Sequence, residues 1–105
     1  MSDSFKDREK GQEAKWAHDE ELRFRVYSRR NRMIGHWAAG KMGMTGVDGD
    51  AYAAHFVTAT DEAIFTRIRS DFDAHSVKIS DHMIRKQMED LLASAKAEVE
   101  QNPKK

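Results

Sequence analysis

The sequence contains no cysteine, a single proline and no long apolar run. Without cysteine the chain has no disulfide, no zinc site with thiolate ligands and no cysteine nucleophile. No apolar stretch approaches the length that a helix needs to cross a bilayer, and the first residues, SDSFKDREKGQEAK, lack the apolar core of a signal peptide. We therefore expect a soluble, cytoplasmic protein. Its 105 residues suffice for one small domain with one core.

Net charge is also absent, because 18 basic residues balance 18 acidic ones, yet the charges are unevenly distributed. Residues 22–41 contain six basic residues and no acidic one, whereas residues 1–21 carry seven acids against four bases and residues 42–66 carry four acids and no base. The explanation that we favour is internal pairing, in which basic helix faces lie beside acidic ones and other charges are solvated. A site for an anionic ligand is the less favoured alternative.

Apolar side chains recur at a spacing of three to four residues and predict helices, with no convincing strand. The clearest helix spans residues 20–41 and ends at the glycine-rich loop 42–46. Further helices are expected over 51–59, over 61–72 and from residue 81 onwards, with Asp48 or Asp50, Thr60, and Ser80 or Asp81 as their respective N-caps. The junction at residue 60 is a weak helix breaker, so the two middle helices could also form one bent rod.

Each expected helix has one apolar face. The residues predicted to face the core are Leu22, Val26, Met33, Ile34, Trp37 and Ala38 in the first helix, Tyr52, Ala53, Phe56 and Val57 in the second, Ile64, Phe65, Ile68 and Phe72 in the third, and Ile84, Met88, Leu91, Leu92, Ala95 and Val99 in the fourth. Four such faces joined by short loops predict an all-α fold. We expect a small four-helix bundle over residues 20–102, followed by a tail at 103–105.

The residues before this bundle differ in character. From residue 5 to residue 21 most side chains are charged, and the only apolar ones are Phe5, Ala14, Trp16 and Ala17. Because so few apolar side chains cannot pack into the core, we interpret residues 1–19 as an arm, flexible or partly helical, that carries the function. The residue pattern supports two interpretations of Trp16 equally: a contact with the end of the bundle, or an anchor in the groove of a partner.

No pattern in the chain is typical of an active site. The five histidines lack His-x-x-x-His or Glu-x-x-His spacing, which argues against a carboxylate-bridged metal bundle. The loop glycines lack the lysine and the spacing of a nucleotide-binding fingerprint. The run RRNR at 29–32 leaves nucleic-acid binding as a minor alternative, although a domain without basic excess is poorly suited to it. We therefore expect a protein that is not an enzyme and holds no metal.

Several ordered blocks of the sequence resemble a known family. The blocks DRE at 7–9, EAKWAHD at 13–19, RRN at 29–31 and WAA at 37–39 resemble the zeta subunit, the small inhibitor of the alphaproteobacterial F-type ATP synthase. The resemblance continues through residues 50–57 and through IRKQMEDLLASA in the last helix. It therefore covers nearly the whole chain.

This resemblance implies a four-helix bundle whose N-terminal arm inserts into the catalytic head of the synthase. The arm would enter an interface of the alpha and beta subunits beside the gamma subunit and block rotation, with the bundle as a stop outside and residues 29–32 as a second contact. Phe5 and Trp16 would be apolar anchors, whereas the small and charged residues would allow close approach and fix the register. The implied inhibitory segment comprises Phe5, Asp7, Arg8, Glu9, Glu13, Ala14, Lys15, Trp16, Ala17 and His18.

The expected partners are thus the alpha, beta and gamma subunits, with no nucleic acid. The protein is expected to be monomeric when free and to reach the cytoplasmic face of the inner membrane only through the synthase, without inserting into the membrane. No cofactor is expected, and weak binding of adenine nucleotides stays open because no pattern locates a site. The alternatives are a helical adaptor with another protein target and, less favoured, a nucleic-acid-binding module.

Overall fold

The computed structural model describes residues 19–101, and this part of the chain folds as four helices without a strand. Helix α1 spans Glu20–Lys41, α2 spans Gly46–Ala54, α3 spans Asp61–Ala74 and α4 spans Asp81–Gln101. The predicted all-α fold with four helices is confirmed. None of these helices is both long and apolar enough to span a membrane.

Helix α1 has the bounds that the sequence predicts. Its N-cap, Asp19, has extended backbone geometry, and the carboxylate accepts a hydrogen bond of 3.0 Å from the N–H of Leu22. Glu20 and Glu21 occupy the first turn, where their negative charge is favourable for the helix dipole. In the turn after the helix Gly43 has a φ of +82°, which glycine adopts without steric penalty.

Helix α1 is also the central element of the fold. It packs along both α2 and α4, while α3 packs on α4 and touches α1. The larger cluster of buried side chains draws on all four helices and comprises Ile34, Ala38, Ala39, Tyr52, Phe56, Ile64, Ile68, Phe72, Ile84 and Met88. A smaller cluster between α1 and α4 consists of Val26, Ala95 and Val99. The predicted core positions that are only partly buried are Leu22, Met33, Trp37, Val57, Phe65, Leu91 and Leu92.

Helix α2 departs from the prediction. It begins at Gly46, after the extended N-cap Thr45, whereas the sequence pattern predicted a start at Ala51 with an aspartate cap. Asp48 lies inside the first turn instead, and Gly49 is buried. The low intrinsic helix propensity of glycine led to the late predicted start, and close packing against α1 overrides that propensity.

The segment 55–60 separates α2 from α3, because a side chain from α1 binds its backbone. The amide of Asn31 donates hydrogen bonds to the carbonyls of Val57 and Ala59, at 3.1 and 3.3 Å. These carbonyls are thereby held outside a helix, so the two middle helices do not form one rod. Thr60 then caps α3 as predicted, since its hydroxyl accepts the N–H of Ala63 at 3.2 Å.

Helix α4 is capped by Ser80 rather than by Asp81. The hydroxyl of Ser80 accepts a hydrogen bond of 3.1 Å from the N–H of Met83, and Asp81 is the first helical residue. Arg69 on α3 reaches this junction and donates to both the Asp81 carboxylate and the carbonyl of Ile79, each at 2.8 Å. The connection between α3 and α4 is therefore fixed by side chains as well as by its own backbone.

Gly35 is the point of closest approach between α1 and α2. A Cβ atom added there would lie 2.6 Å from the Cα of Ala53 and 2.8 Å from a ring carbon of Phe56, and the former is backbone that cannot rotate away. We expect Gly35→Ala to lower the free energy of unfolding by about 2 kcal/mol through overpacking. Urea unfolding followed by circular dichroism measures this change.

Gly40 provides the matched control on the same helix. A Cβ atom added there meets no atom within 4 Å. Gly40→Ala should therefore raise the free energy of unfolding by about 0.5–1 kcal/mol, because alanine restricts the unfolded chain and favours the helix. Equal effects of the two substitutions would contradict the close packing of α1 on α2.

Candidate partner-binding surface

The residues predicted to bind the partner all lie outside the residues that the structure describes. They are Phe5, Asp7, Arg8, Glu9, Glu13, Ala14, Lys15, Trp16, Ala17 and His18. The described chain starts at Asp19, the N-cap of α1, so the arm joins the bundle directly at the start of the central helix. The surface of the bundle nearest to that junction is formed by the first three turns of α1.

The basic run at 29–32 does not form one exposed patch, so a second contact there could involve only Arg29 and Arg32. Arg30 is only 2% exposed and Asn31 is buried beside it. Arg30 Nε donates to Asn31 Oδ1 at 2.8 Å, a second guanidinium nitrogen donates to the Asp61 carboxylate, and the guanidinium carbon lies 5.3 Å from the centre of the Tyr27 ring. These two residues are internal connectors between α1, the 55–60 segment and α3.

The favoured explanation of the uneven charge, internal pairing, is confirmed for several arginines. Arg29 on α1 pairs with Glu98 on α4 at 2.8 Å, and Arg69 pairs with Asp73 and Asp81 at 2.8 Å. Such exposed pairs each contribute at most about 1 kcal/mol to stability. Their main effect is to reduce the number of arginines that are free to contact a ligand, which also weakens the nucleic-acid alternative.

Among residues 19–101, the groups with shifted pKa values are Tyr52 on α2 and Arg69 on α3. Burial, and then a hydrogen bond of 2.7 Å to the Asp71 carboxylate, raises the pKa of the Tyr52 phenol well above its ordinary value of 10.0. The pKa of Arg69 is raised by its hydrogen bonds to Asp81 and Asp73. No group of three or more histidine or acidic side chains that could hold a metal occurs within residues 19–101.

A different side chain, Phe24, dominates the exposed face of α1. Its ring is 60% exposed, whereas the other aromatic side chains between residues 19 and 101 are buried or half-buried. On one side of the ring lies a groove of about 390 Å³, here termed the Phe24 groove, which runs along α1 toward α4. Its lining includes Phe24, Ser28, Met33 and the basic residues Arg25, Arg29, Arg32 and His36. A second groove, of about 470 Å³, lies on the other side of the ring against the 57–61 segment.

Sequence reasoning missed both Phe24 and the internal role of Arg30. Phe24 lies off the apolar stripe, so the helical period marks it only as an apolar residue on the solvent side. Arg30 lies four residues after Val26 and four before Ile34, both fully buried, so the period alone placed it on the inner face. That periodicity was the signal that could have identified it.

The family model described as ATPase inhibitor subunit zeta matches residues 1–98 of the chain. The chain belongs to this family. The match includes the predicted arm as well as all four helices up to the last turn of α4. A comparison with curated protein sequences found no match. The family is one of ATPase inhibitors, which are regulatory proteins, and membership supports the role of an ATPase inhibitor for this chain.

Proposed function

We propose that this zeta-family protein inhibits ATP hydrolysis by the F-type ATP synthase by inserting residues 1–18 into the catalytic head and blocking rotation. The observation that carries the proposal is the family match over residues 1–98, which includes the charged segment before the bundle. The partners would be the alpha, beta and gamma subunits, and the association with the membrane would be indirect, through the synthase. The mechanism requires no cofactor.

The division between arm and bundle fits this mechanism. All of the buried apolar side chains described come from Val26 onwards, so the core does not need residues before α1. Residues 1–18 contain four acids and four bases and few apolar side chains, which favours binding in the groove of a partner over packing in a core of their own. The bundle would stay outside the head and limit how far the arm can enter.

Within the arm, each type of side chain has a distinct proposed role. Phe5 and Trp16 would fill apolar pockets of the head, since large aromatic residues often supply much of the energy of an interface. Ala14 and Ala17, beside Trp16, would let the backbone of the arm approach the partner closely. The charged residues and His18 would fix the register by pairing with groups of the head.

The substitution Trp16→Ala tests this proposal. We expect the concentration needed for half-maximal inhibition of ATP hydrolysis by the isolated head to rise roughly tenfold or more, because a buried tryptophan anchor is lost. Leu92→Ala is the control, since Leu92 packs against the small cluster between α1 and α4 and lies outside the arm. At matched fold stability, a larger loss of inhibition for Leu92→Ala would place the anchor in the bundle instead.

A further inference from the structure

The exposure of Phe24 has no explanation in the fold. Its ring belongs to neither cluster of buried side chains, although it lies on the central helix. A single exposed apolar residue is ordinary on a protein surface. Phe24 differs because it lines two grooves and because the charged side chains that line one of these grooves are all basic.

The Phe24 groove is lined by basic residues and by no acidic one. Arg25, Arg29, Arg32 and His36 lie along one stripe of α1, spaced by three or four residues. Glu98 neutralises Arg29 from outside the lining, and His36 lies 3.6 Å from an Asp50 oxygen. Arg32 is exposed and has no hydrogen bond or ion pair with any residue between 19 and 101. Arg25 already takes part in an interaction, so Arg32 is the basic side chain of the groove that is available to a negatively charged ligand.

A polar atom at the base of the same groove also lacks a partner. The Oγ atom of Ser28 is inaccessible to solvent and forms no hydrogen bond within the described part of the chain. Ser28 lines both grooves, directly below the Phe24 ring in the helical repeat, four residues further along. The surface thus combines an exposed aromatic ring with a cation, Arg32, that is unpaired within residues 19–101, and an unsatisfied hydroxyl is buried beneath it.

The position of the groove relative to the arm indicates what occupies it. Phe24 is five residues beyond Asp19, a distance of about 8 Å along a helix with a rise of 1.5 Å per residue. From Phe24 to His36 the groove follows about 18 Å of α1, which is some three turns of a helix laid beside it. Whatever subunit holds the arm must therefore come close to this face.

We propose that the Phe24 groove binds an acidic helical segment on the outer surface of the same ATPase head that holds the arm. The inference rests on the proposed function and adds a second contact, made by the folded bundle. The residues of the chain before Asp19 are a poorer occupant, because their four acids and four bases leave no net negative charge. Phe24 would insert between apolar side chains of the segment, and Arg32 would pair with its carboxylates.

The test uses full-length variants and measures both the dissociation constant for the isolated head and the inhibition of ATP hydrolysis. Arg32→Glu should raise the dissociation constant about tenfold, mainly through slower association, because it places like charges opposite each other. Phe24→Ala should raise it roughly fivefold through the loss of an aromatic contact. For the wild-type protein, higher salt should weaken binding more than it does for Arg32→Glu.

Two controls match these changes in chemistry but not in position. Lys78→Glu makes the same change in net charge at an exposed position in the loop before α4, and Val47→Ala truncates an apolar side chain that is 82% exposed on α2. Both should change the dissociation constant less than about twofold, as expected for surface positions outside an interface. Circular dichroism spectra like that of the wild type should show that all four variants stay folded.

Three results would overturn the inference. The first is wild-type binding by both Arg32→Glu and Phe24→Ala, and the second is equal weakening by Lys78→Glu, which would reduce the effect to net charge. The third is a dimer of the wild-type protein that both Phe24→Ala and Arg32→Glu dissociate in sedimentation experiments, since the occupant would then be a second copy. A different result would separate the two proposals. If Arg32→Glu weakens binding while Trp16→Ala inhibits like the wild type, the proposed insertion of the arm is contradicted and the proposed binding at the Phe24 groove is supported.

Discussion

Deletion of residues 1–18 should abolish the inhibition of ATP hydrolysis and leave the helical bundle folded. The deletion removes all ten proposed contact residues of the arm but retains Asp19, whose carboxylate caps α1. It also retains both clusters of buried side chains, which begin at Val26. Titration of the truncated protein against the isolated synthase head, together with the helical circular dichroism signal and its thermal transition, measures both parts of this result.

Deletion of residues 103–105 is the control for this experiment, because the predicted tail lies beyond α4. The shortened protein should inhibit like the full chain. If the protein without residues 1–18 still inhibits with its original potency, the inhibitory element lies in the bundle and the division of function proposed here is wrong.

Arg30→Ala should lower the free energy of unfolding by about 3 kcal/mol, the largest effect on stability that we expect from a single substitution. The change leaves Asn31 Oδ1 without its donor and opens a cavity beside Tyr27. The other member of the ion pair, Asp61, has a side chain that is 61% exposed, so water solvates it once Arg30 is gone. The loss of stability therefore arises mainly from the contacts of Arg30 with Asn31 and Tyr27. Urea unfolding measures this loss.

Arg29→Ala is the matched control one residue away. Arg29 also forms an ion pair, with Glu98, but both side chains are about half-exposed. Its removal should change the free energy of unfolding by less than about 1 kcal/mol. Similar losses for the two arginines would mean that burial does not distinguish them and that the Arg30 network is less important than its geometry indicates.

The parts of the fold that the sequence predicted correctly are those set by local chemistry. Helix α1, with its acidic first turn, and the cap of α3 at Thr60 follow from short-range signals. The separation of α2 from α3 does not, because the segment between them is bound by Asn31, whose amide donates to the carbonyl of Val57, 26 positions further along the chain. A hydrogen bond between residues so far apart in sequence produces no local sequence pattern from which a helix boundary could be predicted.

The candidate site also has a part that could be predicted from the sequence and a part that could not. The composition of residues 1–18 is enough to predict an arm, and the family match covers it. Which arginines of α1 are exposed could not be predicted, since a basic run is equally compatible with buried pairing and with an exposed patch. The structure separates the two outcomes within four residues: Arg30 is buried, whereas Arg32 is exposed.

The junction at Asp19 has a mechanical consequence. Any pull on the residues before it enters the fold through the first turn of α1, and the force then acts along the axis of a helix of 22 residues. Helix α1 packs along both α2 and α4. To move along its axis it would therefore have to slide past both helices at once, and the contacts on both sides would oppose the force together. The helix that carries the arm is thus the one that the bundle holds most firmly against tension.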